Sequence, residues 1–328
     1  MAKVCVLGAG GFGLALAVNA LKCGHNVTVW SAFKEEIDII RRDGEHKKLL
    51  PGVKISEDIK LTYNKEDIKN NDIVIFAVPS KVLRPVAREV TSFISDNSIV
   101  VSVGKGLENG THKRLSEVLE EELKNRIVIL SGPSHAEEVA IGMPTTVLVA
   151  SKDAKSAEFI REQLSNKTFR IYDSDDIIGC EIGGALKNTI ALSAGICDGM
   201  GFGDNTIAAL MTRGLAEITR LGVALGGKPE TFMGLSGIGD LIVTCTSKHS
   251  RNRRAGMLIG KGISPEEAVK EVGTVEGYGC TKVAYEFAKE ANVEMPIINS
   301  LYEILFNGGE AKQAVFMLMD RPLKKESQ

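Results

Sequence analysis

The sequence is sparing in several things that would decide its class. Aromatic residues make up 5% of 328, with a single tryptophan, and there are five histidines that do not cluster, so a histidine-based nucleophilic triad has no support. The six cysteines, at 5, 23, 180, 197, 245 and 280, are scattered without a Cys-x-x-Cys pair. They read as reduced thiols of a cytosolic protein rather than a disulfide frame. Cys245 and His249 stand four apart with no second metal-like pair beside them, so no metal is expected. Neither sign of charge is in excess: 40 Lys and Arg against 42 Asp and Glu leave −2. A general polyanion binder needs a basic surface, so nucleic acid is not an expected partner. There is no uninterrupted apolar run of about 18 residues to span a bilayer. Met1–Leu7 enters a strand-like run at once, without the basic and apolar regions of a signal peptide.

What is present is an ordinary globular balance, 44% hydrophobic and 25% charged, which excludes wholesale disorder. The length suits roughly two domains. In the first half, the Val- and Ile-rich runs 4–7, 26–30, 72–78, 98–103 and 127–130 alternate with helical patterns at 12–22, 34–42, 82–94 and 113–123. Strand and helix in alternation predict βαβ units and a doubly wound parallel sheet of α/β class. Candidate strands at 145–150 and 168–172 around a helix at 154–164 extend the sheet to about residue 173. From about residue 177 the pattern turns helical, over 183–196, 205–225, 251–260, 265–271, 280–290 and 296–305. The expected division is therefore a dinucleotide-binding domain over 1–176 and an all-helical domain over 177–328, closed by a frayed tail at 324–328. No internal repeat is evident.

Glycine is the enriched residue, 34 in all, and part of the excess has a location. Gly8-Ala9-Gly10-Gly11-Phe12-Gly13 fits G-x-G-x-x-G directly between a strand-like run and a helical one, the context that makes the pattern informative. Gly8 permits the tight turn, Gly10 lets backbone approach a pyrophosphate, and Gly13 allows close helix–strand packing at a helix N-terminus that favours anions. NAD recognition would place an acid at the end of the second strand, about 20 residues on. The chain has Ser31-Ala32-Phe33-Lys34 there, with Glu35 and Glu36 inside the next helix. The missing acid and the nearby Lys34 tilt the expectation toward NADP, or toward weak discrimination.

Several polar stretches interrupt apolar patterning. Gly104-Lys105-Gly106 and Ser131-Gly132-Pro133-Ser134-His135-Ala136 each follow a strand, where open α/β sheets bind ligands, although a surface turn and a helix cap would read the same way. Lys187-Asn188 breaks an apolar helix; a buried lysine loses basicity and can act as a general base near neutrality, or it can simply snorkel. Ser250 is placed to cap a helix with Arg251 and Asn252 in its first turn, a device suited to a phosphate monoester, with a solvated basic face as the plain alternative.

Together with Val78-Pro79-Ser80, Lys105-Gly106-Leu107 and Gly239-Asp240-Leu241, these stretches run nearly end to end, and the chain closely resembles the bacterial-type NAD(P)-dependent glycerol-3-phosphate dehydrogenases. The resemblance implies Lys187 as proton acceptor, with Lys105, Asn188, Asp240 and Thr244 around the reacting C2 oxygen. It implies Gly132, Ser134, Ser250, Arg251 and Asn252, with Lys105, Lys187 and Asp240, as substrate contacts. For NAD or NADP it implies Gly8, Gly10, Gly11, Phe12, Gly13, Lys105, Ala136 and Arg251, together with Val275 and Glu276 from a segment that closes over the cofactor. The family commonly has Ser-Trp where this chain has Gly11-Phe12, and the basic residue it often places after the second strand has no obvious counterpart. The reaction so implied is hydride transfer between sn-glycerol 3-phosphate and dihydroxyacetone phosphate, in a cytoplasmic homodimer that supplies the backbone of membrane lipids. A dehydrogenase of 3-hydroxy acids, which reads a carboxylate, is the alternative; a non-catalytic nucleotide sensor would have no use for Lys105, Lys187 and Asp240.

Overall fold

The computed structural model describes residues 1–323, 325 and 326, so part of the expected frayed tail lies outside the described residues. Eight strands form one sheet: β1 (Lys3–Leu7), β2 (Asn26–Trp30), β3 (Lys60–Thr62), β4 (Ile73–Phe76), β5 (Ile99–Ser102), β6 (Arg126–Ser131), β7 (Thr145–Ala150) and β8 (Phe169–Ser174), in the order β3-β2-β1-β4-β5-β6-β7-β8. Its helices are α1 (Gly11–Lys22), α2 (Lys34–Asp43), α3 (Ser80–Val90), α4 (Leu115–Glu122), α5 (Ala136–Ile141) and α6 (Ala154–Leu164). The central strands are buried on both faces, and alternation sorts their side chains. Val4, Val6, Ile73 and Ile75 pack with Leu14, Ala17, Ile37 and Ile160 on one side. Cys5, Leu7, Val74 and Phe76 pack with Leu83, Ala87, Leu115 and Val118 on the other. That two-sided burial is why these strands read as continuous apolar runs.

One pairing departs from the all-parallel expectation: β7 runs antiparallel to β6, with Ser131 opposite Leu148. The link between them holds only the six-residue α5, about 9 Å of helix, too short to carry the chain back along the sheet for a parallel return. The three-residue β3 escaped the sequence pattern because it has no run to show. The helix expected over 82–94 starts at Ser80 and gives way after Val90 to a 3-10 turn, and the one expected over 113–123 narrows to Leu115–Glu122.

The rest is helical: α7 (Ile177–Gly199), α8 (Asp204–Ala224), α9 (Pro229–Phe232), a π-helical turn over Leu235–Gly239, α10 (Asp240–Thr246), α11 (Arg251–Gly260), α12 (Pro265–Val272), α13 (Glu276–Glu290), α14 (Pro296–Phe306) and α15 (Ala311–Met319). The axis of this half is α7, which is longer than the expected 183–196 because Asp176 caps it. The Asp176 carboxylate accepts from Gly179 N at 2.8 Å, and from Lys228 N and Thr231 Oγ1 beyond the helix. Among the described residues all six cysteines are free thiols, and burial pushes those of Cys5, Cys180, Cys245 and Cys280 up to about 12.

Two contacts set α7 against its neighbours. Glu181, buried, accepts from Arg114 Nη1 at 2.7 Å and from Ser116 N and Oγ at 2.8 and 2.5 Å, tying the start of α4 to the helical half. Farther along, α7 and α11 cross backbone to backbone through glycines. A Cβ on Gly195 would lie 2.0 Å from the Arg253 carbonyl oxygen; one on Gly256 would lie 2.1 Å from that of Leu192, and one on Gly260 2.2 Å from that of Ile196. Gly256→Ala should therefore force the helices apart and cost at least about 2 kcal/mol, read as a drop in thermal midpoint. An unchanged midpoint would show that the crossing tolerates a side chain.

Candidate active site

The glycine fingerprint sits at the carboxyl end of β1. Gly8 has φ +113° and donates its N–H to Trp30 O at 2.8 Å, and a Cβ there would meet the Ala77 carbonyl oxygen at 2.6 Å. Gly13 is pressed on Gly8, and Gly11 on the Leu49 carbonyl, each too closely for a side chain. Around Gly10, by contrast, a Cβ would touch nothing within 4 Å, and no side chain caps α1. An open backbone approach at an uncapped helix start fits a dinucleotide pyrophosphate. Phe12 packs against the core of the sheet's first layer. Ala136, at the start of α5, has its Cβ 3.6 Å from the Cβ position of Gly11.

At the carboxyl ends of β5 and β6 the fold assembles a buried charge cluster. Lys187 Nζ, on α7, donates to Asp240 Oδ1 and Thr244 Oγ1, both at 2.6 Å. Lys105 Nζ pairs with Asp240 Oδ2 at 2.8 Å and donates to the Gly132 carbonyl at 2.7 Å, with Ser134 Oγ at 3.5 Å. Lys187 is the deeper of the two lysines, its side chain 6% exposed against 18% for Lys105. Burial, seconded by the charge of Lys105, brings its ammonium down to about 8 in spite of Asp240. For Asp240 burial works upward, but Lys105 and Lys187 prevail and hold the carboxyl below its usual range.

A ladder of amides joins this cluster to the helices around it. Asn188 Nδ2 donates to the Lys105 carbonyl at 3.0 Å, Asn252 Nδ2 donates to Asn188 Oδ1 at 2.9 Å, and Gly277 N donates to Asn252 Oδ1 at 2.9 Å. Asn188 Nδ2 also reaches the Gly184 carbonyl at 3.5 Å, so Asn188 spends its whole amide inside the protein, whereas Asn252 spends one N–H and its oxygen there. Ser250 caps α11 as expected, its hydroxyl accepting from Arg253 N at 3.2 Å. Arg251 follows, exposed, with no hydrogen bond or ion pair among the described residues. Glu276 reaches back to the start of α3, accepting from Ser80 N at 3.1 Å and from its hydroxyl. Val275, by contrast, is buried among Leu192, Ile196 and Leu301.

Two family models cover the chain: the NAD-dependent glycerol-3-phosphate dehydrogenase N-terminus over residues 3–157 and its C-terminus over 176–316. A glycerol-3-phosphate dehydrogenase [NAD(P)+] of Fusobacterium nucleatum is 50% identical over 100% of this chain and 99% of its own length. The chain belongs to the NAD-dependent glycerol-3-phosphate dehydrogenase family. A Thermoanaerobacter relative of the same name is 51% identical over 99% of this chain and 98% of its own. The crystal structure of a glycerol-3-phosphate dehydrogenase from Coxiella burnetii superposes with a TM-score of 0.93 at 36% identity, covering 98% of this chain and 99% of that one. As a member of this family the chain is an NAD(P)-dependent oxidoreductase acting on a CH–OH group.

The enzyme's site includes groups that sequence reasoning passed over. His135, which in sequence is only one member of a loop, is half-buried, its Nε2 has no hydrogen-bond partner among the described residues, and burial and the Lys187 charge lower its basicity. Ser134, a possible helix cap, instead donates to Gly132 O at 2.9 Å, and the cap position falls to His135. Glu181 and Ser80 hold neighbouring elements in place through the bonds given above; the Val78-Pro79-Ser80 stretch carries no signal in sequence for the side-chain bond that Ser80 makes. Lys34, which in sequence tilts the expectation toward NADP, is exposed and paired with Asp38. The Asp240 carboxylate raises the basicity of Lys187, so Asp240→Asn should move the proton loss of Lys187 to below about pH 8. Titration of the carbon-labelled lysine Cε by NMR reads this directly, and a midpoint that stayed or rose would refute the electrostatic account.

Proposed function

We propose that the chain interconverts sn-glycerol 3-phosphate and dihydroxyacetone phosphate with Lys187 as the general acid and base. The observation that carries this is the buried Lys187–Asp240–Lys105 cluster at the carboxyl ends of β5 and β6. The nicotinamide, when bound, supplies hydride donor and acceptor chemistry, and Gly8–Gly13 with the start of α1 would hold its dinucleotide. In oxidation the neutral amine of Lys187 takes the proton of the C2 hydroxyl; in reduction the ammonium returns a proton to the C2 oxygen. Thr244 and Asp240 aim the lysine, and the charge of Lys105 both favours its neutral form and faces the developing oxyanion.

The uncommitted guanidinium of Arg251, the free N–H of the Asn252 amide and the first turn of α11 form the phosphate anchor, with Ser250 capping that turn. Gly132 and Ser134 complete the wall around Lys105, and Asn188 holds the Lys105 backbone. On the cofactor side, Lys105, Ala136, Arg251, Val275 and Glu276 belong to the same reading. In this division residues 1–176 hold the dinucleotide and 177–328 the substrate. The proposal extends to a cytoplasmic homodimer whose product serves as the backbone of membrane lipids; these readings rest on the family resemblance. Among the described residues no helix is long and apolar enough to cross a membrane.

Lys187→Ala should lower turnover by about 10²–10⁴ while leaving cofactor affinity unchanged; equal losses in both would remove the acid/base role. Because the amine form is required for oxidation and the ammonium for reduction, oxidation of glycerol 3-phosphate should climb as pH rises through about 8, and reduction of dihydroxyacetone phosphate should fall over the same interval. Parallel initial rates in the two directions check the sign. Turnover that does not need the phosphate group of the substrate would favour the hydroxy-acid reading instead.

A further inference from the structure

The carboxyl end of β2 lies beside the fingerprint turn, since Trp30 O accepts from Gly8 N. Ser31, the next residue, is buried, and its hydroxyl donates to Glu36 Oε2 at 2.5 Å while accepting from Phe33 N at 3.2 Å. Glu36 belongs to the first turn of α2, but this bond turns its side chain back to the strand end, where His46 Nε2 stands 3.4 Å from its other oxygen. The loop that carries His46 also carries Leu49, whose carbonyl is pressed against Gly11. A carboxylate is therefore held at the place where a dinucleotide-binding fold reads the adenosine ribose, although no acid occupies the strand end itself.

The cations of the same stretch are committed elsewhere. Lys34 pairs with Asp38; Arg41 donates to the Leu61 carbonyl and lies 3.7 Å from Asp38; Arg42 and Lys47 pair with Asp43 at 2.7 and 3.1 Å. Lys48, exposed on the loop, is the one Lys or Arg of this stretch without an ion pair or hydrogen bond among the described residues. Ala32 and Phe33, which leave the strand, carry no charge.

We propose that Glu36, positioned by Ser31, is the residue that reads the adenosine ribose: it accepts a hydrogen bond from a free 2′-hydroxyl and repels a 2′-phosphate, so this enzyme works with NAD(H) in preference to NADP(H). The inference rests on the dinucleotide site of the proposed function. It reverses the tilt toward NADP that the missing acid and Lys34 had given.

Calorimetric titration of the full chain with NADH and NADPH, and with ADP-ribose and its 2′-phosphate, tests the ribose contact without turnover. The unphosphorylated member of each pair should bind about tenfold tighter or more, the scale of a charged hydrogen bond. Glu36→Gln keeps the shape and an acceptor for Ser31 but removes the charge, and should contract that ratio at least about fivefold. A ratio measured on one preparation does not depend on the fraction folded. Lys48→Ala should leave the ratio as it is. Equal binding of both members, tighter binding of the phosphorylated one, or an unchanged ratio in Glu36→Gln would overturn the inference while the dehydrogenase reading stands. Binding of neither dinucleotide would overturn both.

Discussion

One carboxylate between two ammonium groups governs the site. Asp240 is almost fully enclosed, and a carboxylate in that position survives only if opposite charge is brought to it. Lys105 and Lys187 arrive from a strand–helix loop and from the axial helix, so satisfying Asp240 requires the sheet, α7 and α10 to meet at one point. Two cations on one anion leave a surplus positive charge in a place with little water. Surrendering a proton relieves it, and the more deeply buried Lys187 is the group that burial discharges most readily. The constraint that holds the elements together is thus the same one that makes an amine available near neutral pH.

Around that cluster the structure closes a circuit. The ladder from the Lys105 carbonyl through Asn188 and Asn252 to Gly277 crosses from the sheet to three helices, and the neighbour of Gly277, Glu276, returns to the sheet side at Ser80. Glu181 adds a separate tie to Arg114 and Ser116. Buried amides matched donor to acceptor in this way are costly to break at any one rung, because each break strands a polar group. Residues without a reacting atom therefore bear on where the reacting ones stand.

The parts of this architecture most legible in the sequence are those written in a local period. The central strands show as Val and Ile runs because both faces are covered, and Gly8–Gly13 shows because its context is a strand and a helix. Ser250 reads as a cap because capping is a one-turn affair. Other parts are illegible for physical reasons. The start of α7 depends on Asp176, whose carboxylate also serves Lys228 and Thr231 some fifty residues away. The short helix that carries Asp240 and Thr244 follows a π-helical turn, and its residues follow no clean apolar period. Glu36 lies inside a helix, as its position indicates, yet a single hydroxyl redirects its side chain, and no spacing rule contains that. The juxtaposition of Lys105 with Lys187 is long-range, reached through family resemblance rather than through any pattern in the residues.

The glycine crossing of α7 and α11 has a consequence for how such a site can change. Lys187 and Asn188 ride on one helix and Ser250, Arg251 and Asn252 on the other, and the two backbones touch without side chains between them. The seam works as a gauge block: it has no side chain that substitution could thin, and a methyl group added to it separates the helices only at a cost in stability. The distance from the lysine to the head of α11 is consequently the least adjustable dimension of the pocket. A lineage seeking a differently sized substrate would lose less stability by exchanging the side chains that line the pocket than by re-spacing the helices that carry them.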